Sequence, residues 1–188
     1  AVSLIWYLEN VFYHSVSKIY NYIQHNIFDG ETIDNQIIDL GFWPGGDRDG
    51  NPFVTTKITL DVAERLRQTI LGNYYKDIRK LKRRFTFNEV HEILTRIEKR
   101  LYKHTTKSYT NVNFSQEILI KELEKAKKII VENHDSLFIE ELNDFINKVH
   151  LFGFHFATLD IRQDSRVHHN AFTQLVKDLI ASGDTLFP

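Results

Sequence analysis

Eight side chains, Ile58, Val62, Leu66, Ile70, Tyr74, Ile78, Leu81 and Phe85, recur at steps of four or three. That period places them in one stripe along a single long amphipathic helix. Thr59 or Thr56 is positioned to cap its start, and Asp61 suits its N-terminal dipole. Other segments carry the same rhythm. Leu4 to about Asn26 shows it in Ile5, Leu8, Val11 with Phe12, Val16, Ile19 with Tyr20, and Ile23, before Asp29-Gly30 ends the run. Thr86-Phe87-Asn88-Glu89 reads as a capping box opening a third helix with Val90, Ile93, Ile97 and Leu101. The polar stretch His104 to Val112 breaks the pattern. Asn113 begins a fourth helix with Leu119, Leu123, Ala126 and Ile130, and Asp135 caps a fifth with Leu137, Leu142, Phe145 and Val149. Ser165 caps a last helix through Ala181, stopped by Gly183. With 42% apolar and 13% aromatic residues in 188, the chain has the means to bury a core and is not intrinsically disordered.

Two segments break the helical period. Leu40 to Trp43 is a brief strand candidate, and Phe152 to Ile161 reads as a buried strand from its aromatic and β-branched content. Within it, His155 reads as a hydrogen-bonded core histidine. Two strands this far apart make no stable sheet alone. In an α/β barrel, however, catalytic side chains project from the C-terminal ends of strands and the loops after them. The fold expected is mainly α with a few barrel strands, part of an α/β (TIM-like) barrel, with residues 1–188 as a single unit.

After the first strand candidate comes Gly45-Gly46-Asp47-Arg48-Asp49-Gly50-Asn51-Pro52. Three glycines free the backbone for turns a Cβ forbids, and Pro52 turns Asn51 away from helix. So much charge with so little bulk makes a poor core. It reads as a loop presenting Asp47, Arg48 and Asp49 to a ligand. Taken alone, such a loop is more often a structural turn. Asp47-x-Asp49-Gly50 does not fit a calcium loop, because the glycine comes too early and no closing Glu follows. A P-loop is excluded by the lack of GK[ST].

The 24 basic and 25 acidic residues leave a net charge of −1, so no global field attracts nucleic acid or acidic membranes. The absence of Cys removes disulfides, thiolate nucleophiles and zinc thiolates, and suits the cytoplasm. No apolar run reaches bilayer length and Ala1-Val2-Ser3-Leu4-Ile5-Trp6 has no basic region, so neither a signal peptide nor a membrane helix is expected. The abrupt start and the lack of methionine are expected of a processed chain or of a piece of a larger one, and the piece is the favoured reading. The histidines show no ligand spacing. Lys76-Asp77-Ile78-Arg79-Lys80-Leu81-Lys82-Arg83-Arg84 concentrates positive charge. It supports a rival reading, a stand-alone helical interaction module that binds an acidic partner.

Trp43 followed by GGDRDGNP and Val54-Thr55 resembles a signature of the phosphoenolpyruvate carboxylases. Leu159-Asp160-Ile161-Arg162-Gln163-Asp164-Ser165 resembles that family's LDIRQ-S motif, and His168 falls where the family often has a histidine. Both motifs stand in the family's order with a helical stretch between them. Pro44 and Asp164 depart from its commoner residues.

The resemblance implies an inner piece of a bacterial-type enzyme, mainly helical around an eight-stranded barrel, cytoplasmic and tetrameric. It implies carboxylation of phosphoenolpyruvate by bicarbonate to oxaloacetate and phosphate, an anaplerotic carbon fixation feeding the tricarboxylic acid cycle. By motif match Arg162 holds the substrate phosphate, where a permanently charged fork of donors suits phosphoryl oxygens. Trp43 walls the methylene end, while Asp47, Arg48 and Asp49 shape the pocket and Gln163 orients it. Without the motif, Arg162 is better read as a buried ion-pair partner of Asp160 or Asp164, and Trp43 is equally well read as a core residue. The family's catalytic histidine and its carboxylate ligands for Mg²⁺ or Mn²⁺ have no counterpart here. The piece is therefore expected to depend on the remainder of the parent chain and to be inactive alone.

Overall fold

The computed structural model describes residues 2–31, 37–49, 51–106 and 114–182. The first helical stretch is not continuous. α1 (Val2–Tyr7) passes through a π-helical turn (Leu8–Phe12) into α2 (Tyr13–Ile27). Ile5, Leu8, Tyr13, Val16 and Tyr20 are buried, so the stripe steps by five at the π turn. A π turn takes an extra residue per revolution and rotates the buried face by that amount. Val11 and Phe12, expected inside, therefore lie 43% exposed.

α3 (Thr56–Arg84) carries the long stripe, buried from Val62 to Phe85, with Ile58 outside it. Its cap is Thr55 rather than Thr56 or Thr59: the Thr55 hydroxyl accepts the Ile58 N–H at 3.4 Å. α3 packs on α4 (Asn88–Thr106), α4 on α5 (Gln116–Asn133), and α5 on α6 (Ile139–Phe152), which returns to α2 and α3. The Thr86 N–H donates to the Arg84 carbonyl (3.2 Å), and α4 opens after Phe87. Ser115 caps α5; Asn113 and Gly183 lie outside the described residues.

α6 starts four residues after Asp135. Asp135, Ser136 and Phe138 have positive φ (49°, 56° and 61°) and form a tight turn that Asp135 cannot cap. The turn sets the Phe138 ring edge-on to Phe85, with the Arg84 guanidinium 5.4 Å above it.

The expected strand over Phe152 to Ile161 is mostly not one. α6 ends on Gly153 (φ 54°), and Phe156 is also left-handed (φ 69°). Those turns let Phe152, Phe154 and Phe156 enter the core beside Tyr13 and Tyr74. Core burial was read correctly from the aromatics, but the extended period was not. His155, expected inside, is exposed. Only β2 (Thr158–Leu159) is strand, and it pairs in parallel with β1 (Gly41–Phe42), Gly41 opposite Thr158 and Phe42 opposite Leu159. The two strand candidates are thus each other's partners, resting on the helical core. No further strand occurs among the described residues.

α7 (Ser165–Ser182) is capped by Asp164, not Ser165: Asp164 Oδ1 accepts the Arg166 N–H at 2.8 Å. It buries no side chain; Phe172 and Ile180 are each 68% exposed. No described helix is long and apolar enough to cross a membrane.

Asp77 ties three elements together. Its carboxylate accepts from the Tyr13 hydroxyl (2.9 Å), Lys80 (3.0 Å) and Lys148 (2.9 Å), joining α2, α3 and α6. Burial pushes the Asp77 carboxyl up, but Lys148, Lys80 and the Tyr13 hydroxyl outweigh it and hold it below the ordinary value. A carboxyl depressed on folding stabilises above its unfolded pKa and loses that stabilisation as pH falls through the folded one. Wild-type melting temperature should therefore drop on acidification below about pH 4 more steeply than that of Asp77→Asn. Parallel melting curves from pH 7 to 3 would refute this.

Candidate functional site

The short ladder continues past the strands and locks the two motif segments together. Thr158 N–H donates to Leu40 O (2.8 Å), Asp160 N–H to Phe42 O (2.9 Å) and Arg162 N–H to Gly46 O (2.9 Å). Arg48 N–H donates back to Arg162 O (2.9 Å), so Asp47 and Arg162 face each other across a parallel bridge.

Both described glycines of the loop are required, Gly45 by its turn against α3 and Gly46 by this approach. Gly45 has φ +93°, and a Cβ there would lie 2.7 Å from Val62 Cγ2 on α3. At Gly46 a Cβ would lie 1.9 Å from the Asp160 carbonyl oxygen. Further along, the Asn51 side chain accepts the Phe53 N–H (3.0 Å), a local turn that leads to α3.

Above the ladder is an open depression of about 430 Å³ lined by Trp43, Asp47, Asp160, Ile161 and Arg162. Trp43 is 59% exposed, so the indole is not a core residue of the described structure. Arg162 is exposed as well. Asp164, one of its two possible ion-pair partners, is taken: Arg166 forks onto that carboxylate at 3.0 and 2.8 Å. That bidentate contact holds the Asp164 carboxyl below its usual range. Asp47 behaves oppositely. A hydrogen bond with Asp49 raises its carboxyl, helped by partial desolvation and the Asp49 charge and opposed by Arg162. Among the described residues the buried Arg48 Nε meets no hydrogen-bond partner. Gln163 curls back, its Oε1 accepting the Asp164 N–H (3.0 Å). His168 lies exposed in the first turn of α7.

Trp43, Asp47 and Arg162, singled out from the sequence, thus meet at one surface, with the Arg48 N–H bonded to Arg162 O and the Asp49 side chain to Asp47. Asp160, read from the sequence only as a possible ion-pair partner of Arg162, and Ile161, which the sequence does not single out, also line it. Thr59, read only as a cap, reaches the loop from α3, and nothing in its sequence context marks that contact. The cations of Lys76–Arg84 largely answer carboxylates of the same chain: Lys76 with Glu9, Arg79 and Lys82 with Glu98, Lys80 with Asp77, and Arg84 with Glu141. Among the described residues no group of three or more His, Asp or Glu side chains is placed to hold a metal ion.

Residues 2–115 and 84–184 match the family described as phosphoenolpyruvate carboxylase. Similar curated proteins include the phosphoenolpyruvate carboxylases of Shewanella loihica (29% identical over 180 residues) and Aeromonas hydrophila (27% over 184). That of Vibrio atlanticus is 28% identical over 177 residues. These alignments take in 80%, 84% and 80% of this chain but 20%, 21% and 20% of the relatives. The chain spans about a fifth of the length of the curated relatives it matches.

Proposed function

The chain belongs to the phosphoenolpyruvate carboxylase family, and on that premise we propose that its two paired motifs form part of the phosphoenolpyruvate pocket. One observation carries the reading: the Asp47–Arg162 bridge sets Arg162 and Trp43 on the rim of one open depression. In this reading Arg162 holds the phosphoryl group. A bicarbonate oxygen attacks phosphorus, the P–O bond to the enolate breaks, and carboxyphosphate forms. Its C–O bond then breaks to release carbon dioxide and phosphate, and the enolate carbon adds the carbon dioxide to give oxaloacetate. A fixed guanidinium stabilises the charge that shifts onto the phosphoryl oxygens as that first bond breaks. Trp43 keeps water from the enolate carbon.

Asp47, Arg48 and Asp49 shape the floor, and Gln163 stiffens the turn beneath Arg162. β1 and β2 are two strands of the family's barrel, completed by the remainder of a longer, cytoplasmic, homotetrameric chain. Among the described residues no set of His, Asp or Glu side chains fits Mg²⁺ or Mn²⁺; in this reading the remainder of the longer chain supplies the ligands for the metal implied by the family, and no step here runs through it. The acidic-partner reading has no comparable support, because most of the basic helix is already matched by internal carboxylates.

Trp43→Ala in a protein of the relatives' length carrying this segment tests the proposal. Unshielded enolate takes a proton and leaves as pyruvate, so the pyruvate-to-oxaloacetate ratio should rise on the order of tenfold. An unchanged ratio at unchanged turnover would remove Trp43 from the pocket.

A further inference from the structure

We propose that Thr59 is a positioning residue for this pocket, holding the glycine turn at the height at which it engages Arg162. The inference rests on the carboxylase reading for its consequence, but not for its geometry. Thr59 sits in the first turn of α3 and is 9% exposed. Its hydroxyl lies 2.7 Å from the Gly45 carbonyl oxygen and 3.2 Å from that of Thr55. The helix already has its cap in Thr55, so the Thr59 hydroxyl is not needed to start α3. Its shorter contact reaches out of the helix to the loop.

The chain of contacts from there is short. Gly45 O is held by Thr59, and the next carbonyl, Gly46 O, accepts the Arg162 N–H (2.9 Å). Arg48 N–H then closes on Arg162 O (2.9 Å). Val62, one helical turn along α3, supports the same turn from below, since it fills the space a Cβ at Gly45 would need. α3 therefore sets the distance between the rigid core and the Arg162 backbone through one hydroxyl and one methyl. Small shifts of a group that must meet a phosphoryl oxygen reduce rate steeply.

Thr59→Val keeps the shape and removes the hydroxyl, whereas Thr59→Ser keeps the hydroxyl. Amide hydrogen exchange in the intact protein reads the geometry without reference to activity. The Arg48 and Arg162 amides should exchange on the order of tenfold faster in Thr59→Val, with protection restored in Thr59→Ser. Amides of the α4–α5 pair serve as the reference. A loss of protection spread equally over them, or no loss at Arg48 and Arg162, would overturn the inference. In the enzyme-length protein, kcat should fall about tenfold in Thr59→Val and recover in Thr59→Ser. Faster exchange with no carboxylase activity in the wild type would leave the positioning intact and defeat the carboxylase reading instead. Faster exchange with wild-type kcat would show that the turn does not govern the chemistry, and would overturn the role assigned to Thr59.

Discussion

Gly46→Ala is expected to separate the two motif segments while leaving the helices standing. The alanine Cβ would lie 1.9 Å from the Asp160 carbonyl oxygen and 2.9 Å from its carbon, both main-chain atoms. No rotamer change relieves such a contact. Either the loop or the strand must move, and the Arg162 N–H···O=C Gly46 bond lies in the path of that movement. Overpacking of this kind costs about 3 kcal/mol when it cannot relax, and less if the ladder gives way. β1 and β2 are only two residues each and the ladder beyond them is held by single hydrogen bonds, so the ladder gives way before the helical core. Exchange at Arg162 should therefore rise sharply while the α3–α4 amides stay protected. Gly72→Ala is the control: among the described residues nothing lies within 4 Å of its Cβ position inside α3. It should stabilise by about 0.5–1 kcal/mol, the helical preference of alanine over glycine. Equal behaviour of the two variants would mean that the loop does not sit against Asp160.

Arg162→Gln is the largest expected effect on chemistry. Glutamine is uncharged and cannot present the same fork of donors to a phosphoryl group, and loss of one such fixed donor costs roughly 10²- to 10³-fold in rate. Bicarbonate-dependent oxaloacetate formation by the enzyme-length protein should fall by that factor, with the fold unchanged because the Arg162 side chain is exposed. Arg162→Lys should recover only part of it, since an ammonium is a point charge without the planar fork. Wild-type turnover in Arg162→Gln would place the phosphate elsewhere.

The helical bundle was legible because its information is local. Val62 to Phe85 repeats every three or four residues, and every member of that stripe is buried. Legibility failed where the backbone leaves a standard period. The π turn at Leu8–Phe12 moves the buried face from Val11 and Phe12 to Tyr13, and no apolar count in a 3.6-residue frame registers that extra residue. Phe152 to Phe156 alternates as a strand does, yet Gly153 and a left-handed Phe156 bring the same aromatics inward through turns. The loop before α6 was misjudged for a related reason, as Asp135 is a competent cap in type but sits at positive φ.

The candidate site divides in the same way. Its residue types were legible from two dense motifs. Their meeting was not, because the pairing of Gly41 with Thr158 is set by the helices between them, through the docking of α6 on α3. The roles of Gly45 and Gly46 became specific only with that docking. One is a turn residue packed on Val62, and the other is a point of main-chain approach to Asp160.

The most direct measurement is a structure of the enzyme-length protein bound to a phosphoenolpyruvate analogue that cannot be carboxylated. The expected result is a phosphoryl oxygen about 2.7–3.2 Å from the Arg162 guanidinium, with the carbon that stands for the methylene against the Trp43 indole. The contrary result is a phosphoryl group held by other residues, with the Trp43–Arg162 depression filled only by solvent.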